Sequence, residues 1–313
     1  MIKLKNIISF FVTVVIMFLI VINFDTIKDV LKDLDFNKRE VFVPPSNQWK
    51  KNYDFMYFKN TDKFMPDNYE EMVNIFYTAL NNGWKEFTFY CGLEYEDCLN
   101  DVTKISYNEK FLAEINNFIH PYNSYSTIRT MYDETGEITI RIDKLYSEEE
   151  INLIDADIDK IISNNTKDNM TDKQKIKQIH DYIINNTQYD QERAKNNQSK
   201  YDSARIHGVL YDRYTICSGY TDTMAVVLTK LGIKNFKVAS DNHVWNAVYL
   251  DGKWYHLDVT WDDPVTNSGK NYLDDTYFLI NDNQLAKLDN ENKKTDHTFD
   301  RNIYLEFKKK RTK

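Results

Sequence analysis

Cys217 lies in the stretch YTICSGYTD, at the head of an amphipathic run and beside a glycine. A free cysteine more commonly behaves as a small buried hydrophobe inside an apolar core. From Cys217 onward Tyr220, Met224, Val227, Leu228 and Leu231 recur with helical spacing, and Gly232 supplies a stop. The spacing predicts a helix that begins at or just after Cys217. Unpaired N–H groups and aligned peptide dipoles at such an end favour negative charge, which lowers the thiol pKa and exposes a nucleophilic thiolate.

A nucleophilic thiol needs a base and a group to orient it. Two strand-like runs, HVWNAVYL and KWYHLDVTW, flank Asp251-Gly252, the strongest two-residue hairpin signal. With that pair as the loop, Leu250 faces Lys253, His243 lies opposite Thr260 and Trp245 opposite Asp258. His243 and Asp258 then share a face as diagonal neighbours, roughly 7–8 Å apart along the backbone and within side-chain reach. A slip of one residue would put them on opposite faces. His256 shares the face of His243 and is its rival, but its bulky neighbours fit core packing. His180, on the helical run KIKQIHDYIINNTQYD, reads as a structural or surface histidine. Asp258, Asp262 and Asp263 also admit a reading as hard-cation ligands, although no calcium-loop spacing accompanies them.

Cys217, His243 and Asp258, with HVWN, DGKWYHLDVTWDDP and the helix-opening cysteine, resemble the transglutaminase-like superfamily of papain-type thiol enzymes. The resemblance covers about residues 172–282 and includes the IHDYIINNTQYD helix typical of the bacterial branch. It implies Cys217 as nucleophile, His243 as general base and acid, and Asp258 as the group that orients the imidazole. It further implies an α+β core of helices packed on an antiparallel sheet. The animal cross-linking enzymes carry a Trp directly after the cysteine; here Ser218 follows, which argues against glutamine–lysine cross-linking. The expected chemistry is acyl transfer through a cysteine thioester on a protein or peptide substrate, with no cofactor and no metal. Trp245 and Trp261 are candidates for walls of a substrate groove. The alternative is a catalytically silent, membrane-anchored binding or scaffolding protein that keeps the fold.

The rest of the chain must position these groups. Its 313 residues are 28% charged with a formal net charge of −8, a balance that excludes a general nucleic-acid binder. Ile7–Phe24 is apolar but for Ser9, Thr13 and Asn23, and as a helix spans roughly 27 Å, close to a bilayer core. Lys3 and Lys5 precede it, acidic residues dominate after it, and no small-residue cleavage site follows. Residues 1–24 are therefore expected to be an uncleaved single-pass anchor rather than a signal peptide, with the N-terminus cytoplasmic and the remainder extracellular, at the cell envelope. In that oxidising setting Cys91 and Cys98 are close enough to pair, leaving Cys217 free. Residues 25–50, with an amphipathic turn at Ile27, Val30, Leu31 and Leu34 and then PPSNQ, read as a stalk. Residues 51–146 form a small α+β region without a chemical constellation: helices over 69–82 and around 110–119, a strand KEFTFY, and a hairpin of YSTIRTMY with EITIRIDKLY. The catalytic region, 147–307, opens on two capping boxes, Ser147 with Glu150 and Thr171 with Gln174. Residues 191–203 read as a polar loop, long enough to be mobile or to border a site, and 308–313 as a solvated basic tail.

Overall fold

Asp251 and Gly252 both adopt left-handed backbone conformations, with φ of 49° and 79°, as a two-residue turn matching the twist of its flanking strands requires. This turn fixes the register on which the candidate site depends. The computed structural model describes residues 2–24, 26–27, 39–92, 94–264 and 272–308, with side chains from Val12 onward.

The N-terminal part contains α1 (Ile2–Ile22), α2 (Tyr69–Asn81), β1 (Glu86–Tyr90), α3 (Cys98–Ser106), α4 (Glu109–Asn117), β2 (Tyr125–Tyr132) and β3 (Glu137–Lys144). The antiparallel sheet has the order β1-β3-β2. Asn68 and Asn108 accept hydrogen bonds from the Glu71 and Phe111 backbones and so cap α2 and α4. The Cys91–Cys98 disulfide is formed and ties the end of β1 to the start of α3. Sequence periodicity does not separate α3 from the cystine loop that opens it.

The second half runs α5 (Glu148–Asn165), α6 (Asp172–Asn186), β4 (Gln188–Tyr189), α7 (Gln191–Asn196), β5 (Tyr214–Thr215), α8 (Cys217–Lys230), β6 (Asn235–Ala239), β7 (Val244–Leu250), β8 (Lys253–Leu257) and α9 (Asp282–Asn292). Both capping boxes form as expected. The segment read as a polar loop holds the short helix α7. The sheet β6-β7-β8 is antiparallel, with Leu250 paired to Lys253 and Asn246 to Leu257.

Alternation along these strands feeds two cores. Phe236, Val238, Trp245 and Ala247 face one that includes Phe55, Phe118, Tyr304 and Phe307. Val248 and Leu257 face the other, shared with Ile154 and Ile158 of α5, Ile179 and Ile183 of α6, and Met224 and Leu228 of α8. Each fully buried aliphatic or aromatic side chain contributes about 1.5–3 kcal/mol. The first core therefore runs across the expected boundary at 146/147, and the 51–146 region packs against one face of the β6-β7-β8 sheet. Lys237 points the other way and donates to Asp222 of α8 at 2.8 Å, a buried ion pair that pins β6 to the cysteine helix.

Two expectations for the N-terminus need adjustment. Residues 47–50 are not stalk: the Asn47 amide donates to the Asn82 carbonyl at 3.0 Å, and the Trp49 ring stacks on His120. Of the amphipathic turn, Val30, Leu31 and Leu34 fall outside the described residues, as does the tail beyond Lys308. The apolar run does form α1, and its side chains from Val12 to Ile22 are exposed. Among the described residues, no helix is long and apolar enough to cross a membrane.

Candidate active site

Cys217 is the first residue of α8 and is partly exposed. Ile216 precedes it as N-cap in an extended conformation, with no side chain to cap the helix, and no acidic residue stands in the first turn. The leading N–H groups are thus not consumed by a capping side chain. The segment before the helix is held by Thr215 Oγ1 and the Ile216 amide, which both donate to the Ser203 carbonyl at 2.8 and 2.9 Å. Ser218 Oγ donates to the Ala204 carbonyl at 2.9 Å. Gly219 is needed for close approach: a Cβ there would lie 2.0 Å from Thr215 Oγ1 and 2.8 Å from the Arg205 carbonyl oxygen.

His243 and Asp258 stand just beyond the paired ends of β7 and β8, on the shared face that the hairpin register requires. His243 Nε2 meets Asp258 Oδ2 at 2.6 Å. The other ring nitrogen, Nδ1, is left without the carboxylate, and the Cys217 thiol is close enough to act on the ring electrostatically. Burial opposes a charge on His243, but the Asp258 carboxylate and the thiol override it and push the imidazole up to about 10. Asp258 is fully buried. Burial alone would raise its carboxyl, yet His243 and then His297 hold it well below the usual carboxylate range. Its second oxygen, Oδ1, accepts the Thr260 and Trp261 amides at 3.0 and 3.2 Å.

Beside His243 lies a cleft of about 440 Å³ bordered by Tyr189, Asn242, Trp261, Asp263 and Asp296. A larger groove of about 1360 Å³ around Trp49, Lys144 and Glu148 contains none of the three expected catalytic residues. Trp261 borders the cleft beside His243. Trp245 does not, and its expected place in a groove wall is corrected: it is 1% exposed, because its strand position turns it into the core. There it donates from Nε1 to His256 Nδ1 at 3.0 Å and lies parallel to the His243 ring, 5.7 Å away, supporting it from below. His256 is a core residue, stacked on Phe307. His180 is structural and fully buried, bonded to Asp181 at 2.8 Å and Asp262 at 3.1 Å.

The three carboxylates that admitted a cation reading go to separate partners. Asp258 takes the two histidines, Asp262 takes His180 and the Tyr277 amide, and Asp263 takes the Tyr220 hydroxyl. Burial pushes the Asp263 carboxyl up to about 6. The facing atoms of His243, Asp258 and His297 lie within 4.8 Å of one another, and the hydrogen bonds among them account for that spacing.

Two residues at the site escape a reading of the sequence. His297 donates from Nε2 to Asp258 Oδ2 at 2.9 Å from a polar segment 39 residues downstream, where no local pattern marks it. Tyr189 is legible only through topology. Its strand pairs parallel with β5 so that Tyr189 lies beside Thr215, two residues before Cys217. Burial, then the nearby Cys217, Asp258, Asp190 and Asp296, push its phenol up to about 12, so it keeps its hydrogen at neutral pH.

Part of the chain is similar to known proteins. The family model of the Transglutaminase-like superfamily matches residues 159–259. The human Kyphoscoliosis peptidase is 23% identical over 142 residues, covering 39% of this chain and 21% of that protein. Its mouse counterpart is 22% identical over 146 residues, covering 40% and 22%. The chain thus spans about a fifth of the length of these curated relatives. A solved structure of a TGase aligns over 47% of each chain with 19% identity and a TM-score of 0.34. With the helix-mounted cysteine, the strand-end histidine and its aspartate falling within the matched segment, residues 159–259 carry a transglutaminase-like domain.

Proposed function

We propose that this chain is a thiol enzyme of acyl transfer, cleaving or transferring polypeptide amides through a thioester on Cys217, and that α1 anchors it in a membrane with the remainder outside the cytoplasm. The observation that carries the catalytic reading is the placement of His243 at the rim of a cleft, bonded to Asp258 through Nε2 and acted on electrostatically by the Cys217 thiol.

In the first half-reaction the Cys217 thiolate attacks the amide carbonyl. The imidazolium of His243 gives its proton to the departing amine as the C–N bond breaks, leaving a thioester and a neutral ring. In the second half the neutral ring takes a proton from water, which attacks the thioester and releases the acid and the thiolate. An amine in place of water gives a new amide. The Cys217 and Ser218 N–H groups at the helix start are the backbone donors for the oxyanion, and the Tyr189 hydroxyl is the side chain best placed to assist them. Ser218 in place of a Trp favours hydrolysis over cross-linking.

The folded chain should react with iodoacetamide at Cys217 near neutral pH far faster than an unfolded cysteine peptide. It should also release new termini from peptide or envelope-protein mixtures, read by mass spectrometry. A thiol no faster than the peptide's, with no product formed, would leave the scaffold reading standing instead.

The membrane reading rests on Lys3 and Lys5 at the start of α1 and on the apolar side chains from Val12 to Ile22, which the body of the protein leaves uncovered. Protease added to intact cells should digest the chain beyond residue 25. Full protection, or a mature N-terminus near Asp25, would overturn the anchor.

A further inference from the structure

Asp258 serves two histidines rather than one. Oδ2 receives Nε2 of His243 at 2.6 Å and Nε2 of His297 at 2.9 Å. His297 is itself held from behind, its Nδ1 meeting Asp289 Oδ1 at 2.8 Å. Its side chain is 1% exposed and is packed against Tyr277 at 5.1 Å and edge-on to Trp245 at 4.9 Å. Asp289 belongs to α9, and both it and His297 lie beyond the segment that matches the family model.

We infer that His297, clamped between Asp258 and Asp289, is a positioning residue that sets how firmly Asp258 holds the proton on His243. The inference rests on the reading of Cys217 and His243 as the thiol–imidazole pair.

A carboxylate oxygen only accepts hydrogen bonds, so His297 satisfies both contacts at once only with a hydrogen on each ring nitrogen. A ring in that state is a second cation, its centroid 5.4 Å from that of His243. It draws on the same oxygen that stabilises the His243 imidazolium, and it repels that imidazolium directly. Both effects loosen the proton on His243, which must leave the ring in the first half-reaction and return in the second. The charged and titratable groups facing His297 are Asp258 beyond β8, His243 before β7, His256 within β8, Asp289 on α9 and Tyr277 ahead of α9. Lys294 lies over the Trp261 ring, its Nζ 3.5 Å from the ring centroid.

Replacing His297 by Gln removes the cation and keeps a donor. Asp289→Asn leaves His297 in place but withdraws the carboxylate that holds the hydrogen on Nδ1; the site is partly exposed, so this variant is the safer folder. The readout is the pH at which His243 loses its proton, followed by NMR on the full chain with labelled histidines. Each variant is measured beside a reference that shares a Cys217→Ala replacement, so that no thiolate adds to the titration. With the rival cation gone, the His243 imidazolium is more stable and should keep its proton to higher pH, by about one unit in His297→Gln. Asp289→Asn should move the midpoint the same way by less. A merely structural role would lower the melting temperature and leave the midpoint where it was. An unmoved or lowered midpoint in a folded variant, when the thiol of the unmodified chain is activated, overturns this inference alone. A thiol in the unmodified chain no faster than an unfolded peptide's overturns the catalytic reading and this inference with it.

Discussion

Replacing His243 by Ala is expected to slow alkylation of Cys217 about 10-fold at pH 7 and to lower turnover of any accepted substrate by about 10³ or more. The two numbers have different origins. With the imidazole pushed up to about 10, the ring is a cation at neutral pH, and a cation beside a cysteine favours its reactive thiolate form. Without it that cation is lost, and an unassisted cysteine is only a few per cent thiolate at neutral pH. The helix start still favours the anion, by about 0.3–1 kcal/mol at a partly exposed position, which limits the loss to about 10-fold. Turnover suffers further because His243 also donates and accepts the proton, a contribution of about 10²–10⁴. His256→Ala is the control: it leaves a hole against Phe307 and an unpaired Trp245 N–H, so it should lower the melting temperature while a folded fraction alkylates at the parental rate. If His243→Ala reacts like the parent, the thiol is not paired with this ring and the assignment fails.

How much of the site is legible in the sequence follows from how local each signal is. The Asp251-Gly252 turn sets the register of β7 and β8, and the structure keeps it pair for pair from Leu250–Lys253 to Asn246–Leu257. That register places His243 beside Asp258 and leaves His256 in the core. The helix opened by Cys217 is legible because its apolar residues keep their period to Gly232. Strand β6 is not, because Lys237 interrupts its apolar pattern, and only the fold supplies Asp222 as the partner that makes a buried lysine tolerable. Helix α9 buries little beyond Leu285, so it has no apolar stripe. Its capping pair Asn281 with Gln284 is the available clue. Trp245 and Trp261 look alike in sequence, but one falls on the core face of a strand and the other in a turn after the sheet ends. His297 has no local signal at all, since its meaning comes from two aspartates supplied by different elements.

Asp258→Asn is expected to lower turnover by about 10²–10³ while leaving the chain folded. The isosteric amide has one acceptor where the carboxylate has two. In the parent, Oδ1 accepts the Thr260 and Trp261 amides, and Oδ2 accepts both imidazoles. The two backbone donors are fixed, so the amide oxygen must face them, and its NH₂ group must face the histidines. A donor opposite Nε2 of His243 forces that nitrogen to be the acceptor and moves the ring hydrogen to Nδ1, the side facing Cys217. The ring then cannot take a proton from the thiol at Nδ1, and no carboxylate remains to stabilise the imidazolium. The equivalent substitution in the serine proteases costs about 10⁴ in turnover; a thiol already favoured by its helix needs less help, so the loss here is smaller. Asp262→Asn withdraws only the partner of His180 and should cost stability with little effect on turnover, and Asp263→Asn disturbs only the Tyr220 hydroxyl. Turnover, or the alkylation rate of Cys217, measured alongside thermal melts separates these cases. A folded Asp258→Asn protein that reacts like the parent, beside an inactive Asp262→Asn, would move the orienting role to the His180–Asp262 pair.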